Sequence, residues 1–162
     1  MKSNTIESFR VDHTKLGPGC YVSRKDSFNG QPVTTYDIRM KRPNREEPLS
    51  TAAIHTIEHL GAVFLRKWTD APVVYFGPMG CLTGFYLVLA EELDVFRAVK
   101  LVKQLFDFVL MHEGPIPGAS EEECGNASDH DLAGAKAAAT EYLWSIPRTP
   151  EEPTDFSMEY PK

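Results

Sequence analysis

The chain has 162 residues, enough for one domain with a real hydrophobic core. Its 17 basic residues are outnumbered by 23 acidic ones, and the resulting net charge of −6 works against a phosphate-backbone partner. No apolar stretch approaches the ~20 residues of a bilayer span, and the opening MKSNTIESFR lacks the apolar centre of a secretory signal. Three cysteines, Cys20, Cys81 and Cys124, are an odd and low count for a disulfide framework. The expectation is a soluble cytoplasmic enzyme with reduced thiols and no nucleic-acid or membrane partner.

In chain order, residues 1–18 read as an irregular arm. Residues 20–26 form a strand, Asn29-Gly30 is a hairpin signal, and 33–41 is the returning strand. The short basic run MKRPNR (40–45) holds a proline and is followed by Glu46 and Glu47, so it reads as a solvated loop. Ser50 caps a helix that runs to about Trp68, with Ile54, Ile57, Gly61, Phe64 and Leu65 at helical spacing. VVYF (73–76) is a strand and GPMGC (77–81) a turn. GFYLVLAE (84–91) is apolar on both faces and predicts a central buried strand. Asp94 opens a strongly periodic helix that GPIPG (114–118) breaks. Ser120 and Glu123 resemble a capping box over a short helical turn, and Asp131 to about Ser145 is a last, Ala-rich helix. The order ββ-α-ββ-α-α predicts an α+β fold, an antiparallel sheet packed against helices in a single domain. The domain is expected to span 1–146, with a Pro-rich tail over 147–162.

The chemistry lies in His55-Thr-Ile-Glu58-His59. Residues i and i+4 share a helix face one turn apart, so two imidazoles can hold one divalent ion. Glu58 beside them can move protons near such an ion. The plain alternative is a pair of helix histidines satisfied by water or by core contacts. A catalytic site of this type needs a third protein ligand and an open position. Cys124, Cys81, His13, His112, His130 and several carboxylates are all candidates, and spacing does not choose among them. A small core residue is the ordinary role for Cys81 and Cys20. Arg66, eleven residues after His55, shares the histidine face and could hold a carboxylate; an ordinary arginine late in a helix explains it as well.

The strings ESFRVDHTK, YDIRMKRPN, AIHTIEHLGAVFLR, PMGCLTGFYL and ECGNASDHDLAGAKAAA, in that order, closely resemble the S-ribosylhomocysteine lyase family from Ser8 to Ala139. The resemblance implies metal ligands at His55, His59 and Cys124, a catalytic thiol at Cys81 and a carboxylate acid/base at Glu58. It places Ser8, His13 and Arg39 along the substrate site. It further implies a homodimer with active sites at the interface, and one divalent ion per subunit, with ferrous iron expected and zinc or cobalt as substitutes. The implied reaction moves the carbonyl of S-ribosylhomocysteine along the sugar and then eliminates homocysteine, leaving 4,5-dihydroxy-2,3-pentanedione, the precursor of autoinducer-2.

Two positions depart from the family pattern. Leu82 stands where many members have arginine, and Tyr75 stands where many carry an acid suited to the substrate's ammonium group. Two other readings therefore stand beside the lyase. One is an H-x-x-E-H metallopeptidase, in which the PMGC and ECGN motifs have no task. The other is a non-catalytic metal-binding homologue.

Overall fold

The computed structural model describes residues 10–147 and 156–161. Seven elements follow in order: β1 (Gly19–Phe28), β2 (Gln31–Arg39), α1 (Thr51–Lys67), β3 (Val73–Pro78), β4 (Gly84–Leu89), α2 (Val95–Met111) and α3 (Leu132–Leu143). The strands form one antiparallel sheet in the order β1-β2-β4-β3. This is the α+β arrangement that the element order predicts.

Local chemistry sets the boundaries. Asn29 and Gly30 both take positive φ, 52° and 81°, which closes a two-residue hairpin of the hand that matches strand twist. The side chains of Ser50, Asp94 and Asp131 accept hydrogen bonds from the backbone N–H groups of Ala53, Arg97 and Gly134, and so cap α1, α2 and α3. Ser120 and Glu123 do not cap a helix. Their side chains bond each other at 3.0 Å, while the Glu123 and Cys124 N–H groups donate to the Ser120 carbonyl, so a single helical turn forms without the reciprocal side-chain-to-backbone bonds of a capping box.

One face of the sheet carries the core. Tyr36, Ile38, Phe85 and Leu87 pair across β2 and β4 and pack with Ile54, Ile57, Leu60 and Leu65 of α1 and with Leu105 and Phe106 of α2. Gly61 lets α1 approach β3, since a Cβ there would run into the ring of Phe76. β4 is central, as its apolar run predicts, but it is fully buried on one face only. Phe85, Leu87 and Leu89 are buried while Tyr86 and Val88 are half-exposed. The opposite face holds a polar layer in which Tyr21, Asp37 and Tyr86 lie in register across β1, β2 and β4. A continuous apolar run does not reveal this difference, because it has no period.

Candidate metal centre and thiol pocket

His55, Glu58 and His59 lie on the stripe of α1 next to its buried face, and all three are half-buried. The segment between α2 and α3 folds back over this stripe. His55 Nδ1 donates to the carbonyl of Asp129 at 2.9 Å, and His59 Nδ1 donates to the carbonyl of Pro117 at 2.9 Å. A carbonyl only accepts, so both rings carry their proton on Nδ1 and turn the Nε2 lone pair inward.

Those lone pairs point at Cys124. Its Sγ lies 3.4 Å from His55 Nε2 and 3.9 Å from His59 Nε2. His130 joins them, with Nε2 3.9 Å from the same sulfur and its ring stacked on His55 at 4.1 Å. Thr56 fixes this third ring. Its hydroxyl donates to the Ala52 carbonyl at 2.9 Å, and so it accepts from His130 Nδ1 at 3.3 Å. The donor atoms of His55, His59, Cys124 and His130 all lie within 4.8 Å of one another. Metal–nitrogen and metal–sulfur bonds of ~2.0 and ~2.3 Å give a tetrahedral N···S edge of about 3.5 Å. The donor set therefore fits a single ion. Burial, followed by the neighbouring His55 and His59, holds the His130 imidazole below its usual pKa. Sequence spacing admits His130 as a candidate ligand but gives no reason to add it to Cys124; the returning segment brings both to one point.

Cys81 occupies a second region. It is exposed, unlike Cys20, which is 1% exposed and whose thiol burial, with Asp37 nearby, pushes up to about 12. The small-core-residue reading thus holds for Cys20 and fails for Cys81. Cys81 sits in the β3–β4 turn, where Leu82 has a φ of 59°, a left-handed conformation that a bulky side chain rarely takes. Thr83 Oγ1 is 3.1 Å from Cys81 Sγ, and Arg39 reaches Thr83 Oγ1 at 2.6 Å and the sulfur at 3.8 Å. Arg39 donates the bond to Thr83, which leaves the threonine proton for the sulfur. Burial raises the Cys81 pKa, but the Thr83 side-chain and backbone bonds and the Arg39 charge outweigh it, and the thiol lies below its ordinary value.

Arg39 is held in turn. It makes a paired contact with Asp37, at 2.6 Å and 3.1 Å, and the two side chains are 4% and 1% exposed. His13, Arg39, Pro43, Glu46, Glu47, Cys81 and Thr83 belong to the lining of one open cavity of about 540 Å³. Sequence reasoning passed over Asp37 and Thr83, although alternation along a strand already puts Asp37 and Arg39 on one face. Arg66 is exposed in the last turn of α1, about 16 Å of helix rise beyond His55, and it lines neither region. His112 caps the end of α2 and lies 3.0 Å from the Pro115 carbonyl, away from the metal cluster. Ser8 lies outside the described residues. Tyr75 is 51% exposed on edge strand β3.

A family model described as S-Ribosylhomocysteinase (LuxS) matches residues 6–152. The chain belongs to this family. A relative from Finegoldia magna, named S-ribosylhomocysteine lyase, is 51% identical over 140 residues, which are 86% of this chain and 90% of the relative. Relatives with the same name come from Borreliella burgdorferi (strain ZS7), 49% identical over 96% of this chain and 98% of the relative, and from Phocaeicola vulgatus, 50% identical over 88% and 89%. No helix among the described residues is long and apolar enough to cross a membrane.

Proposed function

We propose that the chain is a metal-dependent carbon–sulfur lyase that cleaves the thioether of S-ribosylhomocysteine to homocysteine and 4,5-dihydroxy-2,3-pentanedione. The observation that carries this reading is the pairing of a His/His/Cys/His cluster with a second cysteine whose thiol is tuned toward thiolate. A peptidase that activates water has no use for that second thiol.

His55, His59 and Cys124 would hold the ion, with ferrous iron expected and zinc or cobalt as substitutes. When bound, the ion supplies Lewis-acid polarisation of a sugar carbonyl. The chain's own groups move the protons. A base takes the proton next to the C1 carbonyl, and return of a proton at C1 shifts the carbonyl to C2; a second round shifts it to C3. The thioether carbon is then β to the carbonyl. Loss of the proton between them expels homocysteine as its thiolate, which takes up a proton. Cys81, as thiolate, and Glu58 are the two carriers, and each alternates between base and acid. Thr83 and Arg39 favour the thiolate form of Cys81, and His13 and Ser8 are the residues for the sugar. Residues 1–146 carry the lyase machinery, followed by the Pro-rich segment 147–162. A cytoplasmic location follows from the reduced thiols this chemistry needs.

The cavity at Cys81 is lined by none of the four cluster residues. This supports a homodimer in which the thiol of one chain serves the metal of its partner. The test combines two dead variants. Cys81→Ala and Cys124→Ala proteins, each inactive alone, are unfolded together, refolded, loaded with cobalt and assayed for thiol release from S-ribosylhomocysteine. Shared sites predict recovery of up to about a quarter of wild-type activity, from heterodimers with one intact site. No recovery from a proven heterodimer would confine each site to one chain. Absence of thiol release by the wild-type protein would remove the lyase reading itself.

A further inference from the structure

The polar layer on the outer face of the sheet has one member from the far end of the chain. Residues 156–161 return to β1, where the backbone N–H of Val22 donates to the Met158 carbonyl at 2.7 Å. Phe156 and Met158 pack against the core. Tyr160 stacks on Tyr21, with ring centroids 5.3 Å apart and an angle of 21°. Its hydroxyl donates to Asp37 Oδ2 at 2.8 Å, the same oxygen that takes the 2.6 Å bond from Arg39. A continuous chain of contacts runs Tyr160–Asp37–Arg39–Thr83–Cys81.

We propose that Tyr160 is a positioning residue for Cys81: by donating to Asp37, its hydroxyl weakens the hold of that carboxylate on Arg39 and leaves the guanidinium charge to the sulfur. The sign follows from charge sharing. Asp37 is 1% exposed, so its charge is balanced by protein donors rather than by water. With the tyrosine proton removed, Arg39 alone must satisfy the carboxylate. Its positive charge is then drawn from Thr83 and Cys81, and the thiolate loses support. The neighbouring groups leave this direction unchanged. Tyr21 gives its proton to the Gly17 carbonyl, and the Tyr86 hydroxyl is held protonated by burial and then by Asp37 itself. On the pocket side, His13, Arg45, Glu46 and Glu47 line the cavity that holds Cys81, whereas Tyr160 meets Asp37, Tyr21 and Ser23 on the sheet.

The inference rests on Cys81 acting as a thiolate, but its test does not need turnover. The metal-loaded protein is alkylated with iodoacetamide across pH 5 to 10, and modification of the Cys81 peptide is followed by mass spectrometry. In Tyr160→Phe, which keeps the ring and its stack, the apparent pKa of the thiol should rise by about half to one pH unit, and alkylation near neutral pH should slow roughly three- to tenfold. kcat for thiol release should fall by a similar factor with KM little changed. Tyr160→Ala should show the same profile with a lower Tm. An unchanged alkylation profile in Tyr160→Phe overturns the proposal, and so does a shift confined to Tyr160→Ala, which would assign Tyr160 to packing alone. A shifted profile in a protein with no lyase activity would leave this inference standing and remove the functional reading.

Discussion

The metal cluster and the thiol pocket are built in different ways. In the cluster, two histidines come from one helix turn, and two of the three rings are oriented by backbone carbonyls, those of Asp129 and Pro117. No substitution removes a carbonyl, so ligand orientation is secured by the fold itself. In the pocket, the sulfur sits in a strained turn at Leu82, and its reactivity is set by side chains, Thr83, Arg39 and Asp37. Each of those can be changed singly. Metal binding is thus a property of the chain trace, whereas thiol reactivity is a property of a few functional groups. The difference also explains why a buried ion pair is kept: as a source of stability such a pair is weak, but here it delivers a cation to a sulfur.

The largest effect expected is a clean division of labour between the two free thiols near the chemistry. Cys81→Ala should lose thiol release by a factor of about 10³ or more while retaining its metal. Cys124→Ala should lose the metal, and activity with it. Metal analysis of the purified proteins, beside the activity assay, decides the matter. Metal loss in Cys81→Ala, or full metal content in Cys124→Ala, would undo the division.

A smaller effect isolates thiol tuning. Arg39 is a poor place to test it, because removing one partner of the Asp37 pair strands a buried charge at a cost of about 3–5 kcal/mol. Thr83→Val is milder. It removes the proton offered to Cys81 and one acceptor for Arg39, so the thiol pKa should move up toward its ordinary value. Activity that needs the thiolate disappears as pH falls through this pKa. The acid limb of the kcat/KM profile should therefore shift to higher pH, with activity near neutrality lower by about tenfold. An acid limb in the wild-type position would mean that Thr83 does not tune the sulfur.

The same contrast governs what could be read from the sequence. The element boundaries were legible because each is set by a local signal: Asn29-Gly30 at the hairpin, and Ser50, Asp94 and Asp131 at the three helix starts. The histidine pair was legible because i and i+4 on a helix fix a geometry without help from the rest of the chain. Cys124 and Cys81 stood among several candidates, and their separate roles came only through family resemblance, since their places depend on how distant segments return. Ser120 and Glu123 show the limit of a motif: the spacing was right, but the side chains bonded each other. Asp37 could have been found, because two residues apart on a strand share a face. Tyr160 could not, because it meets Asp37 across 123 positions of the chain, and composition alone makes 147–162 read as a Pro-rich tail.

The smallest effect tests whether the two regions are independent within a chain. Thr56 is 0% exposed, and its hydroxyl links the Ala52 carbonyl, the Asp131 N–H and His130, all on the cluster side of the molecule. Thr56→Val keeps the shape and deletes these bonds. The Asp131 N–H retains the Ala52 carbonyl at 3.2 Å, so the loss of stability should be modest, about 1–2 kcal/mol. His130, stacked on the ligand His55 and 3.9 Å from the Cys124 sulfur, loses the partner that holds its ring, and metal affinity should fall by about tenfold, the low end for a lost partner behind the ligands. Cys81 should not respond, since nothing in its set of contacts has changed. The alkylation profile of metal-saturated Thr56→Val should overlay the wild type while its metal affinity does not. If both move together, the cluster and the pocket are coupled, and the backbone-held ligands are not separate from the side-chain-tuned thiol.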